Sequence, residues 1–258
     1  MTGERVVVVA DPDAVARLAA THIADTLAAA VAARGRADWA TTGGSTAPAI
    51  YRELTDGSLR ERVPWARVHV WWGDDRFVPR DHPLSNVKPL DDILLDPEHG
   101  IELPIANLHP FRVTESLGAG SDAAWTADLL ANELRAEGLP TRDGWPVLDL
   151  MVVGVGGDGH LLSIFPGSAA FGSSAWALAI PAPTHIEPHV ERVTCHPALL
   201  GVAGGVLAVV TGAAKADVLA EIFGPVDDPQ RWPAQLARRT GATWILDEAA
   251  AARLPDRS

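Results

Sequence analysis

Asp158 and His160, two residues apart in the stretch GVGGDGH, are residue types that move protons near neutral pH. A neutral imidazole takes a proton from water, and an adjacent carboxylate fixes its tautomer and supports the charge it gains. On spacing alone the same pair would serve equally as a turn cap beside a packed histidine. Two other stretches bear on the choice. Gly43-Gly44-Ser45-Thr46 offers backbone N–H groups and two hydroxyls just ahead of a predicted helix, a setting suited to phosphate. Thr211-Gly212-Ala213-Ala214-Lys215 repeats that setting and adds an ammonium. Either turn alone could merely cap a helix. Together, after two parallel strands, they predict a phosphorylated ligand in one crevice.

These residues need elements to hold them. Residues 148–153 form an apolar, β-branched run bounded by glycine, the pattern of a strand buried on both faces. Residues 6–10, 38–42, 68–72, 206–211 and 243–246 read as further strands, and 191–195 as a short one. Helices are predicted from Asp13 to near Gly35, with Asp11 as cap and Pro12 in the first turn, and from Ala47-Pro48 onward. Others are read at 85–95 despite Pro89, at 121–137 with Ser121 as cap and Gly138 as stop, at 197–203, through Phe223, at 234–239 and at 248–254. Residues 73–86 read as a charged loop, and Pro181, Pro183 and Pro188 mark another. The alternation predicts an α/β fold, a mostly parallel sheet with helices on both faces, in one domain over 1–258.

Composition narrows the function. The 33 acidic residues outweigh 21 Lys and Arg for a net charge of -12, which argues against nucleic acid or an anionic membrane as partner but leaves room for a small anionic substrate. Cys195 is the sole cysteine, so no intrachain disulfide forms and a cytoplasmic location is expected. The apolar run near the N-terminus is too short for a signal segment, and no stretch is read as spanning a bilayer. Gly154, Gly156 and Gly159 satisfy the dinucleotide-binding spacing G-x-G-x-x-G, but Pro166 and Gly167 interrupt the helix that fingerprint requires. His185 and His189 flank Glu187, yet Pro188 prevents the helix that would align them, so no metal site is read. Asp74, Asp75 and Arg76, with Ser85-Asn86 beyond them, read by default as a solvated charged loop. Arg192 reads as an exposed strand position and His109 as structural.

The ordered set TTGGST, WWGDDRFVP with LSN, GVGGDGHLLSIFPG, ERVT and TGAAK resembles the 6-phosphogluconolactonase family from Thr42 to Lys215. The resemblance implies the modified doubly wound sheet shared with glucosamine-6-phosphate deaminase and ribose-5-phosphate isomerase. It also implies hydrolysis of 6-phospho-D-glucono-1,5-lactone to 6-phospho-D-gluconate in the oxidative pentose phosphate pathway, with His160 as general base and Asp158 beside it. Gly43, Gly44, Ser45, Thr46, Lys215 and Arg192 would hold the phosphate or sugar acid, and Asp74 and Arg76 would line the pocket. No metal or cofactor is expected, and the chain is expected to be a monomer or weak homo-oligomer. Asp75 replaces the family's usual glutamate, so a structural or pocket-edge role is expected. Leu161 replaces a threonine and removes a hydroxyl near the presumed base. The alternatives are a glucosamine-6-phosphate deaminase-like isomerase, which has an acidic residue where Phe165 stands, and a non-catalytic sugar-phosphate sensor, which would not need His160.

Overall fold

Among the described residues seven of twelve strands align in parallel, and the order in which they do so creates the crevice. The computed structural model describes residues 3–255. In chain order the strands are β1 (Arg5–Val9), β2 (Ala37–Thr41), β3 (Val68–Trp72), β4 (Asp74–Arg76), β5 (Leu108–His109), β6 (Thr141–Arg142), β7 (Trp145–Pro146), β8 (Leu150–Val153), β9 (Ala177–Ile180), β10 (Arg192–Cys195), β11 (Gly205–Val210) and β12 (Ala242–Asp247). The α-helices are α1 (Pro12–Arg34), α2 (Ala47–Thr55), α3 (Gly57–Arg62), α4 (Val113–Gly118), α5 (Ala123–Ala136), α6 (Ala198–Val202), α7 (Ala216–Ile222) and α8 (Glu248–Ala251).

The main sheet runs β1-β12-β11-β8-β2-β3-β5, parallel at every pairing. From β2 the chain moves outward through β3 to β5. From β8 it moves outward the opposite way, through β11 to β12. Adjacent strands whose connections leave in opposite directions open a cleft at their carboxyl ends, and here those strands are β2 and β8. The GGST turn follows the first and the GVGGDGH turn the second, so both motifs sit at the switch point. All four residues of β8 are buried, as a central strand covered by helices must be.

Local chemistry explains most boundaries. The Asp11 carboxylate accepts the Ala14 N–H at 2.7 Å, a cap worth about 1 kcal/mol, and Gly35 closes α1 in the left-handed conformation. By length and composition α1 could cross a membrane, which the sequence reading passed over. Its Val15, Ala19, Ile23 and Leu27 instead lie buried in the core, and it packs against α2, β2 and β12.

Several expected boundaries moved. Asp122, not Ser121, caps α5, accepting the Trp125 N–H at 2.9 Å. Residues 85–95 hold a shorter helical stretch, 88–94, with Pro89 in its first turn and a π-helical turn at Leu90–Leu94. The supposed charged loop contains β4, which pairs antiparallel with β10, while β10 pairs with β9 on its other side. Nothing in Asp-Asp-Arg favours a strand; the pairing partner imposes it. This three-stranded sheet follows directly from the carboxyl end of β3 and walls one side of the crevice.

Candidate active site

His160 folds back over its own turn. Its carbonyl accepts the Gly156 N–H at 2.8 Å, and its Nδ1 lies 2.5 Å from Asp158 Oδ1, which also accepts the His160 backbone N–H at 3.1 Å. Gly156 makes this possible: a Cβ there would lie 2.0 Å from His160 Nδ1. With Nδ1–H donating to a carboxylate, Nε2 carries the lone pair, and His160 lines the cavity with that nitrogen free of any partner among the described residues. Burial works against the Asp158 charge, yet the hydrogen bonds and charge of His160, joined by His185, hold its carboxyl well below the usual carboxylate range. Asp158 therefore stays ionised, as support for an imidazolium requires.

The crevice has two lobes that share Thr42, Gly43, Gly44, Gly154 and Val155. One, of about 140 Å³, is lined by His160, Asp74, Arg76, Asn86, Leu162 and Arg192. The other, of about 180 Å³, is lined by Ser45, Thr46, Thr211 and Lys215. Thr46 occupies the cap position of α2 but makes no capping bond, and neither it nor Ser45 has a side-chain partner among the described residues. A helix-cap role therefore does not account for these hydroxyls. Lys215 is half-buried, and burial lowers its pKa while the charge of Asp158 works to raise it. The Gly212 N–H is already held by Asp247 at 3.0 Å, leaving the lysine as that turn's main contribution.

Arg192 is 4 % exposed, which overturns the expected exposed strand position. Pairing between β4 and β9 buries it, and its guanidinium donates only to the Val190 and Pro188 carbonyls, at 3.2 and 3.0 Å. Arg76 bonds to the Leu84 carbonyl at 2.8 Å, and its Nε is buried without a partner. Neither arginine makes an ion pair among the described residues. Two cations with no salt-bridged carboxylate among the described residues, and only Asp74 beside them on the lining, suit the cavity to an anion or a developing negative charge.

The acidic pair plays a different part. Asp74 accepts the Ser163 hydroxyl at 2.6 Å and the Asn86 side-chain amide at 3.3 Å. Asp75 accepts the Asn86 and Arg76 backbone N–H groups, each at 2.7 Å, and burial pushes its carboxyl up to about 7. It sits 2 % exposed and braces the wall, the structural side of the role expected for it. Leu161 is fully buried, so its side chain lies in the core rather than in the cavity.

Sequence reasoning left Asn86, Leu162 and His185 out of the predicted site and used Phe165 only to separate hydrolysis from deamination. Asn86 crowds Gly43 so closely that a Cβ there would lie 1.8 Å from its Oδ1. Leu162 lines the catalytic lobe at φ 53°, a strained conformation for a leucine. Phe165 sits 4.8 Å from the His160 ring, centroid to centroid. His185 places Nε2 2.8 Å from Asp158 Oδ2. The HIEPH stretch was weighed only as a metal site, so the signal was noticed and its partner was not.

One group among the described residues, His69, His109 and Glu137, brings ligand-type atoms within 4.8 Å of one another. The two rings already meet nitrogen to nitrogen at 2.9 Å, Glu133 takes the other His109 nitrogen at 2.7 Å, and Arg36 takes Glu137 at 2.8 Å. The atoms that would face an ion are thus already engaged in hydrogen bonds.

The family model for glucosamine-6-phosphate isomerases/6-phosphogluconolactonase matches residues 10–245. A 6-phosphogluconolactonase of Synechocystis is 33% identical over 226 residues, covering 87% of this chain and 88% of the relative. The solved structure of 6-phosphogluconolactonase from Trypanosoma brucei superposes with a TM-score of 0.84 at 26% identity, covering 99% of this chain and 100% of that one. A monomeric glucosamine-6-phosphate deaminase shares the fold, with a TM-score of 0.76 at 16% identity over 96% and 99% of the two chains.

Proposed function

The chain belongs to the glucosamine-6-phosphate isomerase/6-phosphogluconolactonase family, and from that membership we infer that it hydrolyses 6-phospho-D-glucono-1,5-lactone to 6-phospho-D-gluconate. The single observation that carries the catalytic part of this reading is the Asp158–His160 pair, with a free imidazole nitrogen on the cavity. The whole chain acts as one lactonase domain.

In this reading Lys215, Ser45, Thr46 and the backbone of Gly43 and Gly44 hold the phosphate in one lobe, which lays the lactone ring across the shared floor into the other. Remote binding of this kind orients the reacting carbon against the base. His160 Nε2 takes a proton from water as its oxygen bonds to the C1 carbonyl carbon, and Asp158 compensates the imidazolium. Arg76 and Arg192, in the lobe with His160, stabilise the oxyanion that develops. Collapse of the intermediate breaks the bond from C1 to the ring oxygen, and His160 returns its proton to that oxygen. Arg192 was expected on the phosphate or the sugar acid; its presence in the lobe of His160 supports a role on the carbonyl side. Phe165 against His160 favours hydrolysis over deamination, because an apolar ring cannot relay a proton.

The test is a coupled assay on freshly generated lactone, with the uncatalysed rate subtracted. His160→Ala should lower kcat by ~10³-fold or more and change KM little. Near wild-type kcat in that variant would sink the assignment.

A further inference from the structure

We propose that His185 is a positioning residue for His160 that acts through Asp158: its ring N–H holds the carboxylate oxygen His160 leaves unused, fixing the orientation of the carboxylate and the basicity of the imidazole. The inference rests on His160 being the base, and goes beyond that reading by adding a second histidine to the pair.

The carboxylate of Asp158 is held at both ends. Oδ1 accepts the His160 ring and backbone N–H groups, and Oδ2 accepts His185 Nε2–H at 2.8 Å. Without the second bond the carboxylate is free to turn about its own axis, and a weakly aimed partner leaves the imidazole tautomer less well defined. Phe165 locks the arrangement sideways: its ring lies 4.8 Å from His160 and meets His185 edge-on at 5.6 Å.

The loop that delivers His185 is itself fastened. His189 Nδ1–H donates to the Pro183 carbonyl at 2.7 Å, drawing the two sides of the loop together. Arg192, a cavity wall, donates to Pro188 and Val190 at its far end. Pro181, Pro183 and Pro188 limit the conformations it gives up when it docks. The His185 side chain is 51% exposed, so a buried core does not depend on it.

The direction of the effect follows from charge. A carboxylate that accepts a hydrogen bond from His185 is a weaker base than a free one and holds the His160 imidazolium less firmly, so losing the donor makes His160 more basic. The other groups facing this pair are Lys215, which interacts with Asp158, and Asp74, Arg76 and Arg192 on the cavity wall. None of them is itself substituted in a residue-185 variant.

The test compares His185→Ala and His185→Gln in the full chain by kcat, KM, the acid limb of the kcat/KM profile and an NMR titration of the His160 ring without substrate. In the alanine variant kcat should fall about three- to tenfold at nearly constant KM, and the acid limb and the ring titration should both move up by about half a pH unit. Glutamine keeps a neutral donor at similar reach and should restore most of kcat and return the titration. An unmoved titration in His185→Ala, or a glutamine variant as impaired as the alanine one, overturns the proposal. Because the titration needs no turnover, it reports on His185 even if the His160→Ala assay contradicts the lactonase reading.

Discussion

Among the described residues, two chains that link a pair of histidines to a carboxylate differ in what they leave unmet. At the carboxyl ends of the strands, Asp158 joins His160 and His185, and the outer nitrogen of His160 faces a cavity. Towards the amino end of β3, Glu133, His109 and His69 form a similar run beside Glu137, and Arg36 closes it. His109 is 2 % exposed and stacks 3.9 Å from Trp71. By residue type the second cluster looks at least as much like a site. Its facing atoms bond to one another and to Glu133 and Arg36, whereas the first leaves the outer His160 nitrogen and the Arg76 Nε without a hydrogen-bond partner among the described residues, beside a cavity. A reactive site is marked by bonding capacity left over at a crevice, not by the number of titratable residues gathered there.

Mutations on the two sides should therefore separate activity from stability. Asp158→Asn removes the charge that compensates the imidazolium and should lower kcat by ~10²- to 10³-fold with folding intact, read by steady-state kinetics beside circular dichroism. Unchanged kcat would erase the distinction between the clusters. His109→Ala opens a cavity beside Trp71 and strands the partners of both ring nitrogens. It should cost about 2–3 kcal/mol, several degrees in Tm, while kcat/KM per folded molecule stays within twofold. A large loss of turnover there would make the second cluster functional. Lys215→Ala should raise KM about tenfold, roughly 1.4 kcal/mol of lost binding, with a smaller change in kcat, measured on the phosphorylated lactone.

The smallest effect concerns pH. Burial, with the charge of Arg36, lowers the His69 pKa despite opposing contributions from Asp38 and Glu137. Below the ordinary histidine range the unfolded chain takes up a proton that folded His69 resists, so its contribution to stability is present above that range and is lost as pH falls through it. In His69→Gln, urea midpoints should fall less steeply between pH 7 and 5, and the pH profile of turnover should not move. An acid limb of turnover that shifted with His69 would contradict the separation.

The parallel sheet was legible because buried strands such as β8 and β11 are continuous aliphatic runs, and because glycine turns and caps punctuate the helices between them. Gly43 to Thr46, Asp158, His160 and Lys215 were legible for the same reason: each lies on a turn within a few residues of such a strand. Residues 74–76 were not. Their charges speak for a loop, and only pairing with β10 makes them a strand and buries Arg192 beside His160. His185 was beyond reach in principle, since its partner Asp158 lies 27 residues earlier and an irregular, proline-rich loop sets the path between them.

The sequence by itself determined the long strands of the main sheet and the glycine turns that carry Gly43 to Thr46, Asp158, His160 and Lys215, because local periodicity and turn chemistry act over a few residues. Tertiary structure alone decided which strands became neighbours. That choice set β2 beside β8, turned two distant turns into one crevice, placed Arg76 and Arg192 on its wall without a salt-bridged carboxylate among the described residues, and brought His185 onto the free oxygen of Asp158. Contacts between residues far apart in the chain are settled by packing and burial, which no local pattern encodes.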